Sequence, residues 1–218
     1  MNDTYRHKGM RQKLTELLAT KGINNQKVLS ALMYVPRHLF LDTAFEEQAY
    51  KNKALPIASG QTISHPYTVA FQTQLLDPQP TDKILEVGTG SGYQAAILSH
   101  LCNKLYTIER HEALYVETAL KLNALGYIQI RSLFGDGYKG SPRFAPFDKI
   151  LVTAGAHMIP QPLLDQLKIG GTLVIPKGSS HTKTMLKITK EAEQKYSTES
   201  HGAFQFVPFL EGTVGQPV

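Results

Sequence analysis

The sequence predicts an α/β protein with a doubly wound, Rossmann-like sheet, preceded by helices and followed by a β-hairpin, and three observations predict it. From residue 83 to residue 176, short apolar runs alternate with amphipathic helical stretches. The first of those runs, Ile84-Leu85-Glu86-Val87, passes directly into Gly88-Thr89-Gly90-Ser91-Gly92, and Gln94-Ala95-Ala96-Ile97-Leu98 then opens a helix. The second run ends on an acid, Glu109, about 20 positions beyond the glycine turn. A strand, a glycine turn and a helix N-terminus form the unit that offers backbone N–H groups to a nucleotide-like ligand. At 218 residues the chain suits a single domain with a substantial core.

Taken in order, residues 8–20 carry Met10, Leu14, Leu17 and Leu18 at helical spacing, and Gly22 stops that helix. Residues 25–33 form a second amphipathic helix on Val28, Leu29, Ala31 and Leu32, broken by Val35-Pro36-Arg37. Arg37 and His38 read as a surface-facing pair in a helical cap. Residues 44–53 read as another helical turn. The stretch Gly60-Gln61-Thr62-Ile63-Ser64-His65-Pro66-Tyr67 is too polar for core and too rich in hydroxyl, amide and imidazole groups for a plain linker. Pro66 steers His65 away from helical geometry, so Ser64 and His65 are expected on an extended segment, with a helix over 67–75 behind them. Lying just ahead of the glycine-bearing strand, this loop is placed to cover a ligand and hold a substrate.

Residues 104–108 read as the second strand and 111–125 as a helix ended by Gly126. Ile128-Gln129-Ile130 reads as a third strand. Gly135-Asp136-Gly137 sets an acid in a turn at the carboxyl end of the sheet, where ligands of such folds bind. Residues 147–153 form the fourth strand, 162–167 a short helix, and Gly170-Gly171 turns into a fifth strand ending at Pro176. Strands at 184–189 and 203–207, separated by the polar residues 190–202, read as a terminal hairpin.

The formal charge is +5, but lysines and arginines are spread along the chain without a basic run or an aromatic-interleaved patch, so no nucleic-acid partner is expected. No stretch approaches the roughly 18 apolar residues of a membrane span, and no early apolar signal region is present, so a cytoplasmic protein without a membrane partner is expected. The single cysteine, Cys102, excludes an internal disulfide framework and a multi-cysteine metal site; it reads as a packed, inert thiol. The eight histidines show no ligand spacing on one helix or ribbon, so no metal is expected.

The glycine spacing narrows the ligand. A dinucleotide fingerprint would place its third glycine at position 93, where Tyr93 stands. Glu86, an acid inside the first strand, would repel a pyrophosphate but tolerate a cationic sulfonium. S-adenosylmethionine (AdoMet) therefore fits better than NAD. Glu109 is placed to accept two ribose hydroxyls, and Asp136 to accept from an adenine amino group.

These residues resemble one family closely, the protein-L-isoaspartate O-methyltransferases. The likeness runs through Val35-Pro36-Arg37, Leu55-Pro56-Ile57, Gly60-Gln61-Thr62-Ile63-Ser64, Pro66-Tyr67, residues 84–96, Tyr106-Thr107-Ile108-Glu109-Arg110, Gly135-Asp136-Gly137, Ala145-Pro146-Phe147-Asp148 and Phe206-Val207-Pro208. The glycine turn alone marks an AdoMet-dependent methyltransferase; the Gln-Thr-Ile-Ser-x-Pro segment selects the family. The resemblance implies an AdoMet-dependent methyltransferase fold, with 1–66 as the N-terminal helical and substrate-loop region, 67–176 as the AdoMet-binding core and 177–218 as C-terminal strands. It implies Ser64 as the active-site serine, with Thr62, Ile63 and His65 beside it toward substrate. It implies Glu86, Gly88, Gly90, Gly92, Glu109, Asp136 and Gly137 around the cofactor. Two departures stand out: Ser141 stands where the family usually has an aromatic residue, and no substrate contact is carried over from the family onto the tail after Pro208.

The implied activity is methyl transfer from AdoMet to the α-carboxylate of isoaspartyl residues in damaged proteins and peptides, carried out by a monomer. The alternative is a methyltransferase of the same fold acting on RNA or a small molecule. Amino-group methylation usually leans on an Asn/Asp-Pro-Pro-aromatic segment after the fourth strand, where Thr153-Ala154-Gly155-Ala156 stands. Cytosine methylation needs a nucleophilic cysteine in a loop, and Cys102 is badly placed for that.

Overall fold

In the computed structural model, which describes residues 2–215, helices α1 (Tyr5–Thr20) and α2 (Gln26–Tyr34) come first. Thr4 caps α1 in a reciprocal box with His7, and Asn25 caps α2 through Lys27 and Val28. Short 3-10 turns at Arg37–Phe40 and Thr43–Gln48 lead to a two-residue pair, β1 (Leu55–Pro56) against β2 (Thr62–Ile63). Helix α3 (Pro66–Leu76) starts with proline in its first turn, where no N–H is missed.

The alternating core follows: β3 (Lys83–Val87), α4 (Tyr93–Ser99), β4 (Lys104–Glu109), α5 (Glu112–Ala124), β5 (Ile130–Phe134), β6 (Phe147–Val152), α6 (Gln161–Asp165) and β7 (Leu167–Lys177). The hairpin β8 (Thr182–Ala192) and β9 (Lys195–Gln205) closes the sheet. Spatial order is β5-β4-β3-β6-β7-β8-β9, parallel from β5 to β7 and antiparallel thereafter. Strand order reverses beside β3, so the crevice at its carboxyl end is where a ligand is expected in such a sheet. Side chains alternate between two buried layers. Ile84, Leu151, Val174 and Met185 face the helices α1–α4, while Leu85, Val87, Ile150, Val152, Leu173 and Ile175 face α6 and the last segment of the chain. None of the helices among the described residues is long and apolar enough to cross a membrane.

Four local expectations are corrected. Arg37 and His38 are wholly buried instead of facing solvent. The third strand begins at Ile130, because Tyr127 N–H closes onto Leu122 O and Ile130 N–H onto Tyr127 O, which spends 127–129 on a turn; Ile128 is left 79% exposed. Gly170 and Gly171 lie within β7, at a bulge between the Phe147/Leu167 and Lys149/Thr172 pairs. The polar residues 190–202 are mostly strand. They build the far end of β8 and most of β9, an edge strand with one ladder and mostly solvated side chains, for which a polar sequence is what the environment demands. Residues 216–218, the end of the expected 177–218 region, lie outside the described residues.

The histidines, scattered in sequence, are partly collected by the fold: Asp3, His7 and His38 offer ligand-type atoms within 4.8 Å of one another. Both Asp3 oxygens accept from Arg11, at 2.7 and 2.8 Å. The two imidazoles stack at 3.8 Å with a 22° interplanar angle. The Asp3 charge is already balanced by the Arg11 guanidinium. His7 Nε2 meets Glu46 at 2.9 Å, and His38 Nδ1 meets the Tyr50 hydroxyl at 2.6 Å. The cluster is a polar seam that fastens α1 to the segment carrying Arg37.

Gly92 ends the glycine turn at φ +86°, and a Cβ there would sit 2.9 Å from Thr118 and 3.1 Å from Leu122 of α5. Gly126 has the same φ with open space around it. Gly92→Ala is therefore expected to cost about 2–3 kcal/mol, and Gly126→Ala about 1 kcal/mol, the first adding a clash to left-handed strain. Urea unfolding midpoints of the two variants check this; equal losses would contradict the packing role of Gly92.

Candidate active site

A cavity of about 1070 Å3, its mouth included, opens at the carboxyl end of β3. Its floor is the turn after β3. Gly88 (φ +99°) accommodates the Thr153 hydroxyl, which a Cβ would meet at 2.4 Å. That hydroxyl donates to Gly88 O at 2.7 Å, joining the turn to the end of β6. On the far side, parallel pairing of β3 with β4 brings Glu109 level with the turn. Glu109 Oε2 accepts from Gly90 N–H at 3.0 Å, while Oε1 accepts from Arg110 and His111 N–H at 2.9 and 3.0 Å. Three backbone donors thus fix a carboxylate at the cavity wall.

The opposite wall is the serine loop. Thr62, Ile63 and Ser64 line the cavity with Gly88, Gly90, Glu109 and Gly137. The short β1–β2 pairing and Asn52, which accepts from Tyr67 N–H at 2.9 Å, hold the two ends of the loop. Arg37 holds its middle. From full burial it donates to Ala49 O at 2.9 Å and Ser64 O at 2.8 Å, and it lies 4.9 Å over the ring of Tyr93, another lining residue. Burial lowers the Arg37 pKa to about 10, which still leaves it charged near neutral pH. Burial and that cation lower the His65 pKa.

Several expected site residues stand elsewhere. Glu86 is fully buried beneath the turn and does not line the cavity. Thr107 donates to its Oε2 at 2.6 Å and shares a 2.7 Å hydrogen bond with Thr89, so Glu86 reaches the turn through two hydroxyls. Its Oε1 has no partner among the described residues. Gly92 packs on α5 and is likewise absent from the lining. Asp136 precedes the lining residue Gly137, but its Oδ1 accepts from Tyr138 N–H at 2.9 Å as a turn cap. His65 faces an outer groove instead of the cavity. Cys102 is buried, and burial pushes its thiol up to about 12.

The sequence reading missed the roof. Val207, Pro208, Phe209 and Leu210 line the cavity as the chain returns from β9 toward the start of α5. Gly155 N–H donates to Val207 O at 2.8 Å and Phe209 N–H to Gly155 O at 2.9 Å. Phe209 stacks on Tyr138 at 4.2 Å, and Val214 is bonded to both Arg110 and Glu112 through the backbone. The apolar cluster at 206–210 was the available signal.

Desolvation, with a smaller push from Glu109, raises the Glu86 pKa from its ordinary 4.5 to about 8. Between those values the folded state keeps a proton that the unfolded chain releases, so stability falls as pH rises through the window. Glu86→Gln is expected to flatten that fall, read from urea midpoints at about pH 5 and about pH 8. An unchanged slope would contradict a buried, protonated Glu86.

A family model described as protein-L-isoaspartate(D-aspartate) O-methyltransferase (PCMT) matches residues 9–214. Relatives named protein-L-isoaspartate O-methyltransferase include one from Christiangramia forsetii, 53% identical over 97% of this chain and 99% of its own. Another, from Flavobacterium johnsoniae, is 52% identical over the same shares, and one from Dictyoglomus thermophilum is 46% identical over 98% and 96%. Among solved structures, a protein-L-isoaspartate O-methyltransferase superposes with TM-score 0.83 at 24% identity, over 94% of this chain and 67% of that one. A Plasmodium falciparum structure titled as a putative member, in complex with S-adenosyl-L-homocysteine, gives 0.81 at 21% identity over 92% and 98%. The structural likenesses show the shared fold.

Proposed function

We propose, from the premise that this chain belongs to the protein-L-isoaspartate(D-aspartate) O-methyltransferase family, that it transfers a methyl group from AdoMet to the α-carboxylate of isoaspartyl residues in damaged proteins and peptides. The observation that carries the reading is one cavity lined on one side by the glycine turn and Glu109 and on the other by Ser64.

The residues present fit the cofactor. Gly88 and Gly90 allow close approach of a ligand to the backbone, and Glu109, already held by three N–H groups, keeps lone-pair capacity toward a ribose diol. When bound, AdoMet supplies an electrophilic methyl group on a cationic sulfonium. A substrate carboxylate, with an ordinary pKa of about 4, is ionised at neutral pH and is itself the nucleophile. No general base is needed, which suits a site whose cavity-facing polar groups near Ser64 are hydroxyls and amides. The Ser64 hydroxyl donates to that carboxylate and orients it, the positive potential of Arg37 behind the loop favours an anion there, and the roof of 207–210 excludes water. The backbone amide nitrogen that follows then attacks the ester carbonyl without the enzyme, closing a succinimide and expelling methanol, and hydrolysis of the ring returns part of it as normal aspartate.

A cytoplasmic monomer that engages neither nucleic acid nor membrane completes the proposal. Dispersed surface charge and a single buried thiol support it.

Paired peptides that differ only in an isoaspartyl or aspartyl linkage, offered with methyl-labelled AdoMet, test the proposal. Base-labile label on the isoaspartyl peptide alone is expected; label on neither peptide, or on both alike, would overturn it. Ser64→Ala is expected to lower kcat about 10- to 100-fold, the loss of one charge-assisted hydrogen bond, with cofactor affinity unchanged. Glu109→Gln is expected to do the reverse, weakening cofactor binding in calorimetry while the unbound fold stays intact. Equal effects of the two variants on cofactor affinity would refute these separate roles.

A further inference from the structure

A second groove opens outward from the cavity, and the two share Thr62, Ser64, Thr153, Val207 and Pro208. The shared residues make the groove the continuation of the path that a peptide takes when its carboxylate is held at Ser64. The outer part carries His157, His181 and Lys183, and no Asp or Glu lines it among the described residues. Of these, Lys183 alone carries an ammonium group.

Lys183 is an unusual lysine. It is only 6% exposed, and its stem lies against Gly155, where a Cβ would approach Lys183 Cε to 2.7 Å. Gly155, in the loop after β6, leaves room for that stem, and Thr153 of the same loop lines both spaces. The ammonium donates to Gly178 O at 2.6 Å. Other lysines of the same strand have carboxylates: Lys187 meets Glu199 at 3.6 Å, and the similarly buried Lys190 meets Glu193 at 3.0 Å. Lys183 has no carboxylate partner among the described residues. A buried ammonium is ordinarily paired, so the groove holds a cation whose counter-charge is not supplied by its surroundings.

We propose that Lys183 is a specificity-determining residue, which selects isoaspartyl peptides bearing an acidic side chain close to the damaged residue. The inference rests on the proposed methyl transfer for the identity of the peptide. Lys183 lines the outer groove but not the cavity, so it faces the chain flanking the reacting residue, while Ser64 takes the reacting carboxylate. A carboxylate entering the groove completes the ammonium's hydrogen bonding in a partly desolvated setting, where a charge-assisted contact is strong.

The test uses two fluorescein-labelled isoaspartyl peptides, identical except for Glu or Gln at the residue following the isoaspartyl position. Fluorescence anisotropy reads their Kd, and methyl transfer is measured separately. The wild type is expected to bind the Glu peptide about 5- to 10-fold more tightly, a preference that Lys183→Met abolishes and Lys183→Arg retains. Raising ionic strength from about 0.01 M to about 1 M shortens the screening length roughly tenfold and is expected to shrink the wild-type preference. This wild-type measurement decides the matter even if Lys183→Met does not fold. Equal binding of the two peptides by the wild type, a preference surviving in Lys183→Met, or one indifferent to salt would overturn the proposal. Absence of methyl transfer to both peptides would count against the proposed function alone, because the binding ratio still judges Lys183.

Discussion

Arg37 donates from full burial to Ala49 O and to Ser64 O, with the Tyr93 ring under its plane, and the remainder of the site depends on that one cation being where it is. Through it the N-terminal helices, the serine loop and the first helix after the glycine turn become a single body. No ion pair among the described residues neutralises it, and its Nη1 has no hydrogen-bond partner. Removing such a group from water is costly, and the seam of Asp3, Arg11, His7, His38 and Tyr50 beside it shows how much polar structure surrounds it. What the arrangement yields is a loop of short, weakly structured elements held in one position, with a positive charge behind it. An anionic substrate group is the natural visitor to such a place.

The second constraint is the parallel register of β3 and β4. Pairing Val87 with Ile108 sets Glu109 beside the turn that follows β3, and Gly90 N–H closes onto it. Two acids then occupy adjacent strands with opposite assignments. Glu109 sits at a strand end, wrapped in backbone donors and open to the cavity. Glu86 sits one layer down, held by Thr107 and driven by desolvation toward its neutral form. Position in the sheet, not residue type, separates a cavity-facing carboxylate from one that braces the turn.

Much of this was legible beforehand because it is written locally. Glycines 88, 90 and 92, the apolar runs and the acid at 109 specify a strand, a turn and a helix within about 25 residues, and the serine loop announces itself by its polarity and by Pro66. What escaped was set at long range. Arg37 and His38 are charged or polar side chains whose burial is decided by partners 12 to 27 residues away. Glu86 and Gly92 carry motif positions, yet their side-chain environments are made by β4 and α5. The hairpin is longer than its apolar residues indicate because an edge strand needs no apolar face, and the roof at 207–210 is fixed by backbone bonds to Gly155, about 50 residues earlier in the chain.

A crystal structure of the protein with S-adenosyl-L-homocysteine and an isoaspartyl peptide tests the central claim most directly. The account predicts the ribose at Glu109 and the peptide's α-carboxylate within hydrogen-bonding distance of Ser64 Oγ, on the line toward the cofactor sulfur. A peptide carboxylate bound away from Ser64, or a cofactor seated outside the glycine turn, would contradict it.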